Sequence, residues 1–388
     1  MTKLLLILLL SIAFAGASFA QIGRTVSVAA GSPEDKALSP IYAAPDGPDK
    51  VALLDKFMAE YGKGDYELLG DELYVQTYLA QKNYDKAYEY GEKALALDPG
   101  NLSVAVNLVH VAAEQGHTEE LFAYGDKVAT ILKNYQASPA PPGTSAQDWA
   151  AHKEQSVQQA QPDITYVEYT LVTAAYKVTD PAARASYFEQ FIADFPDSSY
   201  APAIREQTAI AYEQAQNKPK MLESAQSILK SDPDNVAMLL LLADYWSDNG
   251  QELSQAGKNA QEALNLLAKA QKPANVTDRD WQQQVDVQKG IAYTSLGQVN
   301  AINGKYAQAI AQFKLASPLL KSNSFSYSRN LYRLGFSLAK LNRTLEARTV
   351  LTECVSIDSP YKPLAEQTLT KIGGPVSKAG AHKSHSSS

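Results

Sequence analysis

The chain repeats short motifs at intervals of about 34 residues, and this spacing constrains its fold more than any other feature. Tyr90-Gly91 recurs as Tyr124-Gly125, and Leu296-Gly297 recurs as Leu334-Gly335. Each pair places a bulky residue beside a glycine. The glycine lets two helices approach closely, while bulky side chains fill the groove between them. One repeat of this size cannot bury both of its faces, so neighbouring repeats must stack.

Apolar residues follow a helical period from residue 51 onward. The first apolar stripe consists of Val51, Leu54, Phe57, Met58 and Tyr61. Gly, Asn or Asp-Pro then interrupts the helical pattern about every 12–17 residues. No stretch of alternating apolar and polar residues is long enough to predict a strand. The pattern predicts an all-α fold, an α-solenoid of roughly 15 to 17 helices stacked as antiparallel pairs.

Two segments near the end of the chain, 290–323 and 328–361, resemble the tetratricopeptide repeat (TPR). The first carries Leu296, Gly297, Gly304, Ala309, Phe313 and Ala316 at the positions that define the repeat, and the second carries Leu334, Gly335, Asn342, Ala347, Leu351 and Pro360. Lys321 replaces the closing proline of the first segment. Residues 68–101 and 102–135 match less completely. The resemblance implies a TPR-like superhelix whose concave groove holds a peptide.

The start of the chain has the pattern of an export signal. Lys3 precedes an apolar run from Leu4 to Phe14, and Ser18-Phe19-Ala20 forms a small-x-small cleavage motif. The run of about 11 residues is too short to span a bilayer as a lasting helix. We therefore expect cleavage between Ala20 and Gln21, no stable membrane span afterwards, and a periplasmic or secreted location. Together with the resemblance, this pattern suggests an exported bacterial TPR-containing protein.

The repeats and their interruptions divide the chain into segments. Pro139, Pro141, Pro142 and Gly143 mark a loop between two sub-arrays. The predicted segments are a signal peptide at 1–20, a disordered linker at 21–47, an N-terminal TPR-like sub-array at 48–135, a Pro-rich loop at 136–148, central divergent helical repeats at 149–271, C-terminal TPR-like repeats at 272–372 and a disordered tail at 373–388.

No pattern in the sequence predicts catalytic residues, a cofactor or a metal site. The net charge of −7 argues against nucleic-acid binding, which needs a basic face. Cys354 is the one cysteine, which excludes multi-cysteine metal sites, and its apolar neighbours predict a buried thiol. The spacing of Gly297 and Gly304 departs from that of a phosphate loop and indicates a helix turn. Carboxylate pairs such as Asp71-Glu72 are interpreted as parts of a solvated helix face.

The first helix of each TPR lines the concave groove, so the resemblance also assigns candidate partner-binding residues. They are Gln298 in the repeat at 290–323, and Arg329, Tyr332, Arg333 and Phe336 in the repeat at 328–361. Carboxylate-clamp members of the family have basic residues at the positions of Arg329 and Arg333. This implies contact with an anionic peptide, because arginine holds a carboxylate in a bidentate fork. The alternative is that both arginines form surface ion pairs, for example with Glu346.

These observations favour an exported, non-enzymatic scaffold that binds a protein or peptide in the groove. The segment Tyr187–Ser198 resembles repeats of bacterial envelope proteins, which implies a role in envelope assembly or maintenance. Two other classes remain open. One is a carbohydrate- or murein-binding module that acts beside a separate enzyme, and the other is a cryptic hydrolase. A homo-oligomer also remains open.

Overall fold

The computed structural model describes residues 22–374, and these residues form seventeen α-helices and no β-strand. The helices are α1 (Pro33–Ala43), α2 (Pro48–Tyr61), α3 (Asp65–Ala80), α4 (Tyr84–Leu97), α5 (Leu102–Gln115), α6 (Thr118–Ala137), α7 (Ala146–Lys177), α8 (Pro181–Asp194), α9 (Ala201–Gln214), α10 (Lys218–Ser231), α11 (Val236–Asn249), α12 (Leu253–Lys269), α13 (Asp278–Ile302), α14 (Tyr306–Leu319), α15 (Ser324–Lys340), α16 (Thr344–Val355) and α17 (Lys362–Lys371). The predicted signal peptide, with Ala20 and Gln21 at its cleavage site, lies outside the described residues. So does the predicted tail from residue 375.

The chain divides into two compact units, residues 1–207 (unit 1) and residues 208–388 (unit 2). In unit 1, α3 packs on α4 and α5 packs on α6. In unit 2, α11 packs on α12, α13 on α14, and α15 on α16. Helices that are joined by short turns and pack against each other run in opposite directions. The predicted all-α fold of stacked antiparallel helix pairs is therefore confirmed in each unit.

Asparagine begins five of the described helices. Its side-chain oxygen accepts a hydrogen bond from the backbone N–H three residues later, which satisfies a donor that the helix itself leaves unpaired. These caps are Asn83, Asn101, Asn217, Asn235 and Asn323. The recurrence of one capping residue explains how the turns between helices keep a similar form along the chain.

Consecutive helix pairs share one apolar core. In unit 2, Phe313 of α14 packs in the same cluster as Leu334 and Leu338 of α15 and Ala347 of α16. All four side chains are buried. Each pair therefore covers the apolar face of the next one, as the repeat period predicts.

The glycines of the repeated pairs lie where two helices approach most closely. A Cβ atom built on Gly297 would lie 2.5–2.9 Å from three ring atoms of Phe313, and one on Gly335 would lie 2.5 Å from Cγ of Leu351. Carbon atoms in contact need about 3.5 Å or more. The small residues predicted at these positions are thus required by the helix spacing.

We expect Gly297→Ala to destabilise unit 2, by about 1–3 kcal/mol, because the rigid ring of Phe313 has no free space to move into. Gly257→Ala in α12 is the matched control. Its Cβ would meet only Val299, at 4.0 Å, so this change should stabilise the helix by about 0.5–1 kcal/mol. Urea unfolding followed by circular dichroism measures the free energy of unfolding of both variants. Equal effects of the two substitutions would contradict the argument that the helices approach closely at Gly297.

Residues 21–47 differ from the predicted disordered linker, because they contain helix α1. The Ser32 hydroxyl accepts the N–H of Asp35 at 3.1 Å and begins the helix. Leu38 and Ile41 are buried in one cluster with Leu54 and Phe57 of α2. One pair of apolar residues is too short a signal for a helical period, so its role became visible only with its packing partners.

The segment before α1 also packs on the repeats of unit 1. Ile22 is buried, and its carbonyl oxygen accepts the N–H of Leu102 at 3.2 Å. The backbone N–H of Arg24 donates to the carboxylate of Asp98 at 2.7 Å. These contacts attach the segment to the turn between α4 and α5.

The Pro-rich connection is shorter than the 136–148 predicted. Helix α6 continues to Ala137, and α7 begins at Ala146. The Ser145 hydroxyl accepts the N–H of Asp148 at 3.0 Å and so starts α7 earlier than the composition of the segment indicates.

Asp71 and Glu72 do not lie on a solvated helix face, contrary to the interpretation of such pairs. Asp71 is buried, with 4% of its surface exposed, and Glu72 accepts a hydrogen bond from the side chain of Asn101. Burial raises the pKa of Asp71 to about 6, although Lys93 acts in the opposite direction. Within α3 this carboxyl group therefore takes up a proton more readily than an ordinary aspartate does.

The folded state should consequently lose stability as the pH rises from about 4 to about 6. In this range folded Asp71 keeps a proton that the unfolded chain, with an ordinary pKa of 3.8, releases. Asp71→Asn removes the titration, so the pH-dependent loss should shrink by roughly 2–3 kcal/mol between pH 4 and pH 7. Urea unfolding at several pH values tests this. A variant profile parallel to that of the wild type would contradict it.

Candidate interaction surface

Helices α11, α13 and α15 of unit 2 lie next to one another. We call the surface formed by these helices and Tyr361 the odd-helix face. Four of the predicted partner-binding residues share one side of α15, at spacings of three and four residues, namely Arg329, Tyr332, Arg333 and Phe336. Gln298 lies partly buried on α13. The partner-binding role of these five residues stays a prediction.

An ion-pair network crosses the odd-helix face from α15 to α11. Arg329 forms a bidentate pair with Asp244, with Nη1 2.7 Å from Oδ2 and Nη2 2.8 Å from Oδ1. Nη1 of Arg329 also lies 3.4 Å from Asp248. Arg333 donates a further hydrogen bond to Asp248. We call these four residues the Arg–Asp network.

The network follows from matched spacing on two helices. Asp244 and Asp248 are four residues apart on α11, as Arg329 and Arg333 are on α15, so each pair lies on one side of its helix. Between the two helices, the hydroxyl of Ser295 on α13 is buried and lies 3.5 Å from Asp244. This small side chain leaves room for Arg329 to reach across α13.

The network replaces the ion pair that the sequence suggested as the alternative for these arginines. Glu346 accepts hydrogen bonds from Arg343, at 2.7 Å, and from Lys314, at 3.4 Å, and not from Arg329 or Arg333. The signal that was missed is the matching four-residue spacing of Asp244 and Asp248. It becomes meaningful only when α11 is known to lie within reach of α15.

Burial sets the electrostatics of the network. The side chain of Arg329 is 7% exposed. Burial alone would lower its pKa, but the carboxylates of Asp244 and Asp248 raise it above its ordinary value. Burial, together with the neighbouring Asp244, raises the pKa of Asp248 although Arg333 and Arg329 act in the opposite direction. Arg329 therefore stays charged, and Asp248 takes up a proton more readily than an ordinary aspartate does.

Aromatic side chains form a row beside the network. The ring centroids of Phe325 and Tyr361 are 5.7 Å apart, those of Tyr361 and Tyr332 are 6.1 Å apart, and those of Tyr332 and Phe336 are 6.4 Å apart. We call these four residues the aromatic row. Phe325 is 52% exposed and Phe336 is 37% exposed. Such exposed rings on one surface are typical of sites that bind a partner.

A cleft of about 340 Å³ opens at one end of the aromatic row. Its walls include Tyr245 of α11, Ile291 of α13, and Phe325 and Arg329 of α15, together with Tyr361. The guanidinium carbon of Arg329 lies 5.8 Å from the ring centroid of Phe325. The cleft therefore combines apolar walls with the charged groups of the Arg–Asp network.

Cys354 is buried, as its apolar neighbours predict, and its thiol donates to the carbonyl oxygen of Ser328 at 3.3 Å. Burial raises the pKa of this thiol to about 11, which keeps it protonated at neutral pH. Within residues 22–374, no three His, Cys, Asp or Glu side chains are grouped so as to hold a metal ion. No helix in the same range is both long and apolar enough to cross a membrane.

Removal of one arginine from the network should destabilise unit 2. We expect Arg329→Met to lower the free energy of unfolding by about 3 kcal/mol, because Asp244 and Asp248 lose their buried partner. Arg343→Met is the matched control, since Arg343 is 40% exposed and pairs with the exposed Glu346. Its effect should stay within about 1 kcal/mol. Asp244→Asn added to Arg329→Met should restore part of the loss, and additive effects would contradict the coupling.

Family models of the tetratricopeptide repeat match the chain at residues 78–120 and 328–361. The chain thus carries TPRs in two places, and the second match has the bounds predicted from the sequence. That repeat contains Arg329, Arg333 and three residues of the aromatic row, Tyr332, Phe336 and Tyr361. No curated protein matches the chain. Among solved structures, the crystal structure of the yeast Tom70 is similar, with a TM-score of 0.34 and 10% sequence identity over 87% of this chain and 94% of that chain. A likeness this distant carries no argument about function.

Proposed function

We propose that this protein is an exported, non-enzymatic scaffold that binds a protein or peptide partner on the odd-helix face of unit 2. The observation that carries the proposal is the aromatic row, which has two exposed rings, Phe325 and Phe336, and of which three residues belong to the matched TPR. Exposed aromatic residues grouped on one surface commonly supply most of the binding energy at protein interfaces. The export pattern at residues 1–20 supports a periplasmic or secreted location and a role in envelope assembly or maintenance.

Two features support a scaffold rather than an enzyme. The one thiol is buried and protonated, so it is a poor nucleophile. The carboxylates of Asp244 and Asp248 accept hydrogen bonds from Arg329 and Arg333, so these oxygen atoms are already engaged within the protein. Neither the thiol nor these two carboxylates is therefore placed to catalyse a reaction, which favours partner binding as the role of the odd-helix face.

A carbohydrate- or murein-binding module is the second candidate function. The exposed rings of Phe325 and Phe336 favour it, because an exposed aromatic face can also stack on a sugar ring. Sedimentation of the protein with purified murein distinguishes the two functions. Recovery in the murein pellet that depends on the aromatic row would favour the second candidate over the first.

We expect Tyr332→Ala and Phe336→Ala to weaken partner binding by about tenfold or more each, because interface aromatics commonly contribute above 1 kcal/mol. The measurement is affinity capture from native envelope extract with the chain that starts at Gln21, followed by mass spectrometry and titration of the recurrent partner. Leu345→Ala is the matched control, since Leu345 is 69% exposed but lies on α16. A partner retained by both aromatic variants would contradict this binding site.

A further inference from the structure

The cleft at the end of the aromatic row does not present the free positive charge that the two arginines suggest. Asp244 and Asp248 accept hydrogen bonds from Arg329 and Arg333, and the remaining Nε of Arg329 and Nη1 of Arg333 are buried, so neither guanidinium is exposed to an anionic ligand in the cleft. Arg329, with its side chain 7% exposed, lies at the cleft with both terminal nitrogens already paired. The residues that imply an anionic peptide in the sequence are therefore neutralised in the structure.

Carboxylates outnumber cations among the residues that line the cleft. The acidic lining residues are Glu213, Asp244 and Asp248, and the basic ones are Lys218 and Arg329. Arg333, which pairs with Asp248, is not part of the lining. Burial and the nearby Asp244 raise the pKa of both Glu213 and Asp248. An added cation stabilises the charged form of such carboxylates, whereas an added anion does not.

The walls of the cleft suit a cation with an apolar stem. Tyr245, Phe325 and Tyr361 line it together with Ile291, within a volume of about 340 Å³. A ring face attracts a cation within about 6 Å of its centroid, and this attraction grows when water is excluded. Lysine and arginine side chains join a cationic head to an apolar stem, which packs along such walls.

We infer that this cleft binds a lysine or arginine side chain of a partner peptide, with the carboxylates of Glu213 and Asp248 facing the cation and the rings of Tyr245, Phe325 and Tyr361 around it. This inference rests on the proposed function, and it defines the chemistry of the partner. The peptide backbone would continue along the aromatic row. The Arg–Asp network forms one wall of the cleft and gives the site its shape.

A peptide series tests the inference directly. The probes are synthetic acetyl-Ser-Ala-X-Ala-Ser-amide peptides, with lysine, arginine, norleucine or glutamate at X, so that only this side chain differs. Each is titrated into the full chain, and the methyl signal of Ile291, which lines the cleft, reports binding in NMR spectra. We expect lysine and arginine to bind about tenfold more tightly than norleucine, glutamate to bind most weakly, and the advantage of the cations to decrease at high salt.

Two variants separate charge from packing. Glu213 is exposed at the rim of the cleft and outside the Arg–Asp network, so Glu213→Gln should leave the fold intact and reduce the preference for lysine over norleucine. Phe325→Leu should weaken the binding of both peptides. Glu346→Gln is the matched control for charge, because Glu346 pairs with Arg343 on another part of unit 2. This substitution should change neither the affinity for the two peptides nor the preference for lysine.

The outcomes distinguish this inference from the proposed function. Tightest binding of the glutamate peptide would overturn the inference in favour of an anionic partner. Equal affinities for the lysine and norleucine peptides would also overturn it, because they would show that the cleft binds only the apolar stem. Absence of binding by every probe would also overturn it. If Glu213→Gln leaves capture of the partner unchanged while Phe336→Ala abolishes it, the scaffold function stands and the cationic cleft does not.

Discussion

The close approach of helices at small residues is the constraint on which the rest of this structure depends. Gly297 faces the ring of Phe313, and Gly335 faces Leu351, at distances that leave no room for a Cβ atom. This spacing forms tight helix pairs, and the remaining apolar faces are buried only when the next pair stacks on them. The stacking places α11, α13 and α15 side by side, which produces the face that carries the candidate site.

The Arg–Asp network shows how this stacking determines the chemistry of a surface. Asp244 and Arg329 are far apart in sequence, but the repeat array brings them into a bidentate ion pair across the buried Ser295. A buried ion pair adds little stability compared with a well-packed apolar contact, although the loss of one partner is costly. Its main effect is on the charge of the surface, because it offsets two arginines beside the aromatic rings of the adjoining cleft.

Features that depend on neighbouring residues in the chain were predicted well. The helical character, the repeat at 328–361, the need for glycine at 297 and 335, and the buried thiol of Cys354 all arise from local spacing and residue size. Predictions that needed a distant partner were less successful. Helix α1 lies in the segment predicted as a linker, because Leu38 and Ile41 acquire their role only by packing on α2. Asp71 was interpreted as solvated, because the residues next to it in the sequence do not indicate that its side chain is buried.

The amino-acid sequence by itself determined the type of helix pair, its period and the helix caps, because these depend on side-chain size, backbone hydrogen bonding and contacts within one repeat. It also placed Arg329, Tyr332, Arg333 and Phe336 on one side of a helix. Only the tertiary structure decided the charge balance of the site, since α11 supplies Asp244 and Asp248 to arginines that look unpaired along the chain. The physical reason is that charge at a surface is a sum over groups close in space, and stacking, not sequence distance, selects those groups.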